Sequence, residues 1–403
     1  MPPSFFKPTG PSAQTPTPQR ARPLPNGRVG QAYRVALREV LPELHECLTL
    51  QQPSGLGLTL ETHTGQITGT PLLAGDFNLE LTFNSKTSAA RQTCRLSLAV
   101  IQDPKNLWKN VPSNPQGLFA RPDSWSGQQR HLLAASKRGR SHAHVGSYRD
   151  DDCAIAHLAC GWSLLVAADG AGSAHYSRRG AELICRSAQA YLSQQLHEAR
   201  GLDACVQAFA SARTPQNHTQ LHRQLTALLG GAAHQALLDI QADVAQTAAA
   251  QLKDYASTAL IGLYRPFAFG TLCACYWVGD GAAAVYRQGR EVIILGAADA
   301  GEYAGQTRFL DASTVTHEAQ HARTQFALVE DLTAFILMTD GVSDPKFDTE
   351  TNLHSLPLWD ALWAELAPLT RTEDAHLHLL SWLDFWSQGN HDDRTLVLAV
   401  PSA

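Results

Sequence analysis

No stretch of this 403-residue chain approaches the ~20 consecutive apolar residues of a membrane-spanning helix. The first 27 residues are rich in Pro, Thr and Ser and lack the apolar core of an export signal. No Lys/Arg run stands out. With a formal charge of -5 and a pI near 6.4, the chain does not offer the basic face by which nucleic acid is usually bound, nor anything to recruit an anionic membrane. The expectation is a soluble, cytoplasmic protein with no nucleic-acid and no membrane partner. No CxxC pair exists among the eight cysteines (Cys47, Cys94, Cys153, Cys160, Cys185, Cys205, Cys273 and Cys275), and Cys273 and Cys275 stand two apart in an apolar run, which excludes a zinc knuckle. They read as reduced core thiols. Cys47 and Cys94 are placed to face each other across a sandwich, with no bond assigned.

What the chain does contain is organised around acidic residues at the ends of apolar runs. LLVAADGAGS, Leu164 to Ser173, carries five apolar or small residues into Asp169 and then a Gly-Ala-Gly-Ser turn, which predicts a carboxylate at the end of a buried strand with little bulk around it. FILMTDGVSDP repeats the shape: Phe335 to Met338 lead through Thr339 to Asp340-Gly341. Asp392-Asp393 stands just before the strand-like TLVLAV, Thr395 to Val400, and Asp150-Asp151-Asp152 just before Ala154 to Ala159. Neighbouring strands lie only about 5 Å apart, so carboxylates distant in sequence can converge on one site. Any one Asp-Gly pair by itself is an ordinary turn. The set is all oxygen, with no His or Cys in its motifs, and such hard ligands suit Mg²⁺ or Mn²⁺. Two such ions can activate one water and clamp a phosphoryl group for in-line attack, so the residues predict a phosphohydrolase.

Along the chain, residues 1–27 read as a flexible tail. Residues 28–102 alternate at period two (Leu56, Leu58, Leu60; Phe77, Leu79, Leu81, Phe83; Leu96, Leu98, Val100), which predicts a small all-β sandwich. The stretch GQITGTPLLAGDFNLELTF within it resembles the immunoglobulin-like domains of many bacterial multidomain proteins. Residues 103–129 form a connector whose Trp108, Leu118, Phe119 and Trp125 make it less polar than a free linker. From 130 onward strands and helices mix without a regular βαβ alternation, which predicts layered, mainly antiparallel α+β structure. Expected strands are Trp162 to Ala168, Ser257 to Tyr264, Gly270 to Val278, Ala282 to Tyr286, Val292 to Leu295 and those named above. Expected helices follow Ala181, lie near Leu356 to Leu366 and Thr372 to Trp386, and run from Thr219 to Leu252 with a break or bend at Gly230-Gly231.

Seven blocks occur in a telling order: RGRSHAHVGSYRDDDCAI, VAADGAGSAHYSRRGAEL, ASTALIGL, YWVGDGAAAVYRQGR, GEYAGQTRFL, ILMTDGVSDP and GNHDDRTLVLAV. Residues 130–403 thereby resemble the metal-dependent serine/threonine phosphatases of type 2C, in particular the bacterial branch with an Asp-Gly-Ala-Gly-Ser turn. The resemblance implies a four-layer αββα sandwich, two antiparallel sheets flanked by helices, with a Mn/Mg centre of two ions at one end. It implies that Asp169 bridges both ions, that Gly170 ligates through its carbonyl, that Asp340 and Asp392 hold the first ion, and that Asp151 and Asp152 stand on the side of the second. Asp280 and Asp344 match positions that hold a third ion. The implied reaction is hydrolysis of phosphoserine or phosphothreonine on a protein targeted by a Ser/Thr kinase, by a water or hydroxide bridging the ions and without a protein nucleophile. The amino-terminal module is expected to bind protein.

The chain departs from the pattern in three places. Ser147 stands where family members often carry a phosphate-binding Arg, which leaves Arg149, Arg140 or Arg138 as substitutes. Ala171 stands where some members carry a proton-donating His, leaving metal-coordinated water or His142, His175 or His391. Gly281-Ala282 replaces the usual Ser-Arg, and no peptide-positioning flap is identifiable. The missing Arg and His sustain another reading, a non-catalytic regulator that binds phosphoproteins, and the net charge leaves room for a second, a two-metal enzyme acting on small phosphoesters.

Overall fold

The long apolar runs become strands buried on both faces. A computed structural model describes residues 21–88, 90–158, 161–198, 200–296 and 307–401. Most of the expected tail, Cys160, the end of the Ala154 to Ala159 run and residues 301–306 of the GEYAGQTRFL block lie outside them. The chain divides between Leu107 and Trp108 into two units.

Among its described residues the first unit is β but for one turn of α-helix, α1 (Leu37–Val40), and a 3-10 turn at Pro104–Leu107. Its strands are β1 (Arg22–Pro23), β2 (Gly27–Arg28), β3 (Tyr33–Ala36), β4 (Leu44–Gln51), β5 (Leu58–Glu61), β6 (Gln66–Gly69), β7 (Gly75–Ser85) and β8 (Arg91–Ile101). One sheet has the order β1-β8-β7-β4, with β2 also on β8, and a second has the order β3-β6-β5. The alternation read from sequence holds: Leu79, Leu81 and Phe83 of β7 and Leu96, Leu98 and Val100 of β8 enter one core with Val35, Leu58 and Ile67 of the other sheet. Two expectations are corrected. Residues 22–23 and 27–28 pair in parallel with β8, so part of the supposed tail belongs to the sheet; Leu24 is buried in that core and supplies the apolar anchor. Cys47 and Cys94 do not face each other across a sandwich, because β4 and β8 flank β7 in the same sheet, and both thiols are free.

In the second unit, β9 (Ser124–Gln129), β10 (Leu132–Lys137), β15 (Ala282–Arg287), β16 (Glu291–Ile294), β18 (Ala334–Met338) and β19 (Arg394–Ala399) form a six-stranded sheet of order β16-β15-β18-β19-β10-β9. A five-stranded sheet has the order β11-β12-β13-β14-β17, from β11 (Asp152–His157), β12 (Ser163–Ala168), β13 (Ala259–Phe267), β14 (Gly270–Val278) and β17 (Thr324–Val329). All pairings in both sheets are antiparallel. The helices are α2 (Arg140–Val145), α3 (Ser177–Glu198), α4 (Arg200–Ser211), α5 (Pro215–Gln246), α6 (His317–Arg323), α7 (Asp340–Phe347), α8 (Leu356–Leu366) and α9 (Ala375–Trp382).

Alternation along β12 shows the layering. Leu165 and Ala167 face the other sheet, whereas Leu164, Val166 and Ala168 pack beneath α3, α4 and α5. The six-stranded sheet is covered on its far side by α8 and α9, whose Trp359, Trp363 and Leu379 are buried. The order helix, sheet, sheet, helix agrees with the expected four layers. Two further expectations change. The connector's last residues, Ser124 to Gln129, are strand β9, paired along its whole length with β10. The helix α5 is continuous across Gly230-Gly231: these glycines serve close packing, since a Cβ would come within 2.8 Å of Gln320 at the first and 2.3 Å of the Tyr191 hydroxyl at the second. No helix among the described residues is long and apolar enough to cross a membrane.

Candidate metal centre

Strand ends deliver the carboxylates. Asp169 follows β12, Asp280 lies in the turn between β14 and β15, Asp340 opens α7 directly after β18, and Asp392 precedes β19. One carboxylate oxygen from each of Asp169, Asp280 and Asp340 lies within 4.8 Å of the others, and atoms of Asp392, Asp393 and His142 form a second group of the same span. Glycines let the motifs approach. A Cβ on Gly341 would lie 1.8 Å from the Asp393 carbonyl oxygen, one on Gly139 2.2 Å from the Asp392 backbone, and one on Gly170 2.6 Å from the Asp150 carbonyl oxygen.

The electrostatics show a cluster that wants counter-charge. Burial, and then the charges of Asp151, Asp340 and Asp392, hold the Asp169 carboxyl well above its ordinary range. Asp340 is pushed up to about 7 by burial and by Asp280 and Asp392. Asp344, on the next turn of α7, is raised by burial and by the same two neighbours, and Asp392 by the protein mass around it and then by Asp393. Oδ1 of Asp280 and Oδ1 of Asp340 are buried without a hydrogen-bond partner. Hard oxygen donors, two of them orphaned, packed close enough to raise one another's proton affinity are what a divalent Mg²⁺ or Mn²⁺ requires, and the residues present fit such an ion.

Asp151 and Asp152 part company. The Asp151 side chain is buried in the cluster, where its Oδ2 accepts hydrogen bonds from the hydroxyls of Thr339 (2.9 Å) and Thr395 (2.7 Å). Asp152 turns away and pairs with Arg121 at 2.8 Å, so the structure does not bring it to the cluster. The reason is the two-residue period of extended backbone, which sends adjacent side chains to opposite sides. Gly170 is buried and bridges Ser257. Thr258 clamps the neighbouring backbone: the Asp169 N–H donates to its Oγ1 at 2.9 Å and its own N–H donates to the Asp169 carbonyl at 2.8 Å.

Two of the three substitute arginines are engaged elsewhere. Arg138 is buried and donates to Ser147, Asn110 and Val111 while pairing with Asp123. Arg140 pairs with Asp384 and lies over the Trp386 ring. Arg149 is buried beside Asp152. Of the three histidines, His175 is exposed against Tyr176 and the His391 ring packs between Trp108 and Trp386. Only His142 reaches the acidic residues, with Nδ1 2.9 Å from Asp393 and Nε2 3.8 Å from Asp150. Burial opposes its charge, but the Asp393 hydrogen bond and the charges of Asp393, Asp150 and Asp392 outweigh that and raise it to about 9.

Sequence reasoning missed the part played by Asp393. Its buried carboxylate accepts the Gly139 N–H (2.6 Å), the Asp150 N–H (2.5 Å) and the His142 ring, and the His142 bond holds its pKa below the usual value despite burial. The doubled Asp at 392–393 was the available signal. Arg178, whose Nη1 lies 3.9 Å from Asp150, had none.

Fold and site together define a class: a two-sheet sandwich with a candidate hard-cation site built from strand-end carboxylates. Residues 138–384 match the description of protein phosphatase 2C, and the chain belongs to that family. No curated protein matches the chain. Several solved structures are similar at low identity. A bacterial serine phosphatase is 14% identical, with a TM-score of 0.40 over 68% of this chain and 99% of its own. The serine/threonine phosphatase Stp1 from Staphylococcus aureus is 14% identical, with a TM-score of 0.38 over 73% and 98%. The catalytic domain of serine threonine protein phosphatase PstP, in complex with two manganese ions, is 20% identical, with a TM-score of 0.39 over 67% and 98%.

Proposed function

We propose that the protein is a metal-dependent phosphatase that hydrolyses phosphoserine and phosphothreonine on proteins, using two Mn²⁺ or Mg²⁺ ions. The observation that carries this reading is the convergence of Asp169, Asp280 and Asp340, from three separate strand ends, to within 4.8 Å. Asp151 and Asp392 complete the set of would-be ligands, with Asp344 beside them. Bound there, divalent cations would supply Lewis-acid activation of water and neutralise charge on the phosphoryl group.

The chain's own residues do the rest. Thr339 and Thr395 fix the orientation of Asp151, and Thr258 fixes the backbone at Asp169. With Nδ1 bonded to Asp393, a protonated His142 carries its second proton on Nε2, the nitrogen nearer Asp150, and supplies the positive charge that the three substitute arginines do not. We assign it the task of facing the anionic substrate. The amino-terminal sandwich is assigned an immunoglobulin-like, protein-binding role, supported by its two sheets around one core.

With Mn²⁺ present the purified chain should hydrolyse an aryl phosphate and a phosphothreonine peptide, and chelation should abolish both. Asp169→Asn should lower turnover at least about a hundredfold, the scale at which even groups supporting a metal ligand act. Full turnover by Asp169→Asn would exclude the mechanism. Metal-independent binding of phosphopeptide without turnover would favour the regulator instead, and hydrolysis of small esters alone would favour the small-phosphoester reading.

A further inference from the structure

A cavity with a largely apolar lining and a charged end opens between the edge strands β9 and β11, and it accounts for the residues that turned away from the acidic cluster. Its volume is about 510 Å³, within the size range of small-molecule sites. Arg121, Arg149 and Asp152 line it, together with Trp125, Gly127 and Gln189. Two guanidinium groups share one carboxylate, so the charged lining carries one surplus positive charge. Asp152 serves Arg121 at 2.8 Å and stands 3.9 Å from Arg149, beyond hydrogen-bond reach.

Arg149 is only 2% exposed, and its Nε and Nη1 have no acceptor; the Nε of Arg121 lacks one as well. Burying a guanidinium without acceptors is strongly unfavourable, and a well-packed protein normally avoids it unless something else completes the site. Two guanidinium planes at the end of one cavity suit a tetrahedral oxyanion better than a flat carboxylate, which one fork satisfies alone. The wall opposite is apolar: a Cβ on Gly127 would come 2.9 Å from the Trp125 ring, so the absence of a side chain there lets the indole lie along the strand.

We infer that this cavity is a binding site for a small phosphorylated molecule, with Arg149 and Arg121 taking the phosphoryl group and Trp125 covering the remainder. The site is separate in its residues from the acidic cluster, and the inference stands whether or not the protein is a phosphatase.

Calorimetric titration of the full chain with inorganic phosphate, in chelator so that no cation can hold the anion at the aspartates, tests it. The wild type and Asp169→Asn are expected to bind one phosphate with equal affinity. Arg149→Met, which keeps the length and removes the charge, is expected to weaken binding by about tenfold to a hundredfold, the scale of a lost charge-assisted hydrogen bond. Arg121→Gln is expected to weaken it similarly and serves if the first variant does not fold. Failure of the metal-free wild type to bind, or unchanged affinity in either folded arginine variant, overturns the site. Crystals soaked in tungstate give an independent reading: heavy-atom density beside Arg149 and Arg121 supports the inference, and density elsewhere alone refutes it.

Discussion

At the scale of single residues, the centre is a set of carboxylates whose proton affinities depend on one another. In the metal-free protein Asp340 binds a proton with a pKa of about 7 against an ordinary 3.8, and Asp150 with one of about 6. Between the unfolded and folded values the native state holds the extra protons, so stability falls as pH rises through that window. His142 acts in the same direction: the stability from its raised pKa is complete below about 6.5 and is lost as pH passes about 9. Scanning calorimetry in chelator should therefore give a higher Tm at pH 5 than at pH 8. Saturating Mn²⁺ should reverse or flatten that trend, since the cation takes the place of the protons. A chelated protein more stable at pH 8 would contradict this account. Asp393 makes the opposite case of a buried carboxylate that is fully partnered. Asp393→Ala leaves the Gly139 and Asp150 N–H groups and His142 without their acceptor, and should cost about 3–5 kcal/mol by denaturant unfolding.

At the scale of elements, motifs distant in sequence meet because glycines allow backbone to touch backbone. A Cβ on Gly341 would sit 1.8 Å from the Asp393 carbonyl oxygen, so Gly341→Ala must push α7 away from the segment before β19. A loss of about 1–3 kcal/mol is expected, with weakened Mn²⁺ binding because Asp340 moves with the helix. Gly201→Ala, near the start of α4 with nothing within 4 Å of the added Cβ, is the control and should be neutral or stabilising by up to about 1 kcal/mol. Equal effects of the two on cation affinity would refute the argument.

Much of this level was legible in the chain. Leu164 to Ala168 and Phe335 to Met338 read as strands because both their faces are buried, which leaves no polar alternation to confuse them. Ser124 to Gln129 did not, since β9 is an edge strand made mostly of polar residues and owes its conformation to pairing with β10. Gly230-Gly231 misled because a glycine pair weakens a helix locally, whereas here it admits Tyr191 and Gln320.

At the scale of the whole molecule, the chain carries separate cores. Among the described residues, the core of the first unit runs from Leu24 to Val100, and those of the second are built from residues beyond Leu107. Under the function proposed above, a protein lacking residues 1–107 is expected to keep Mn²⁺-dependent hydrolysis of an aryl phosphate unchanged while losing turnover of a phosphoprotein. Loss of aryl-phosphate hydrolysis in a folded truncation would show that the first unit serves the centre itself.

From the order of residues alone came the acidic set, its place at strand ends and the layered, mainly antiparallel architecture, because hydrophobic period and the chemistry of a carboxylate are local properties. Which of three consecutive aspartates enters the cluster, which histidine meets it and where Arg149 goes were decided only by folding. Those choices depend on the direction of each side chain from extended backbone and on what the opposing sheet places against it, and neither is written in the identity of the residue.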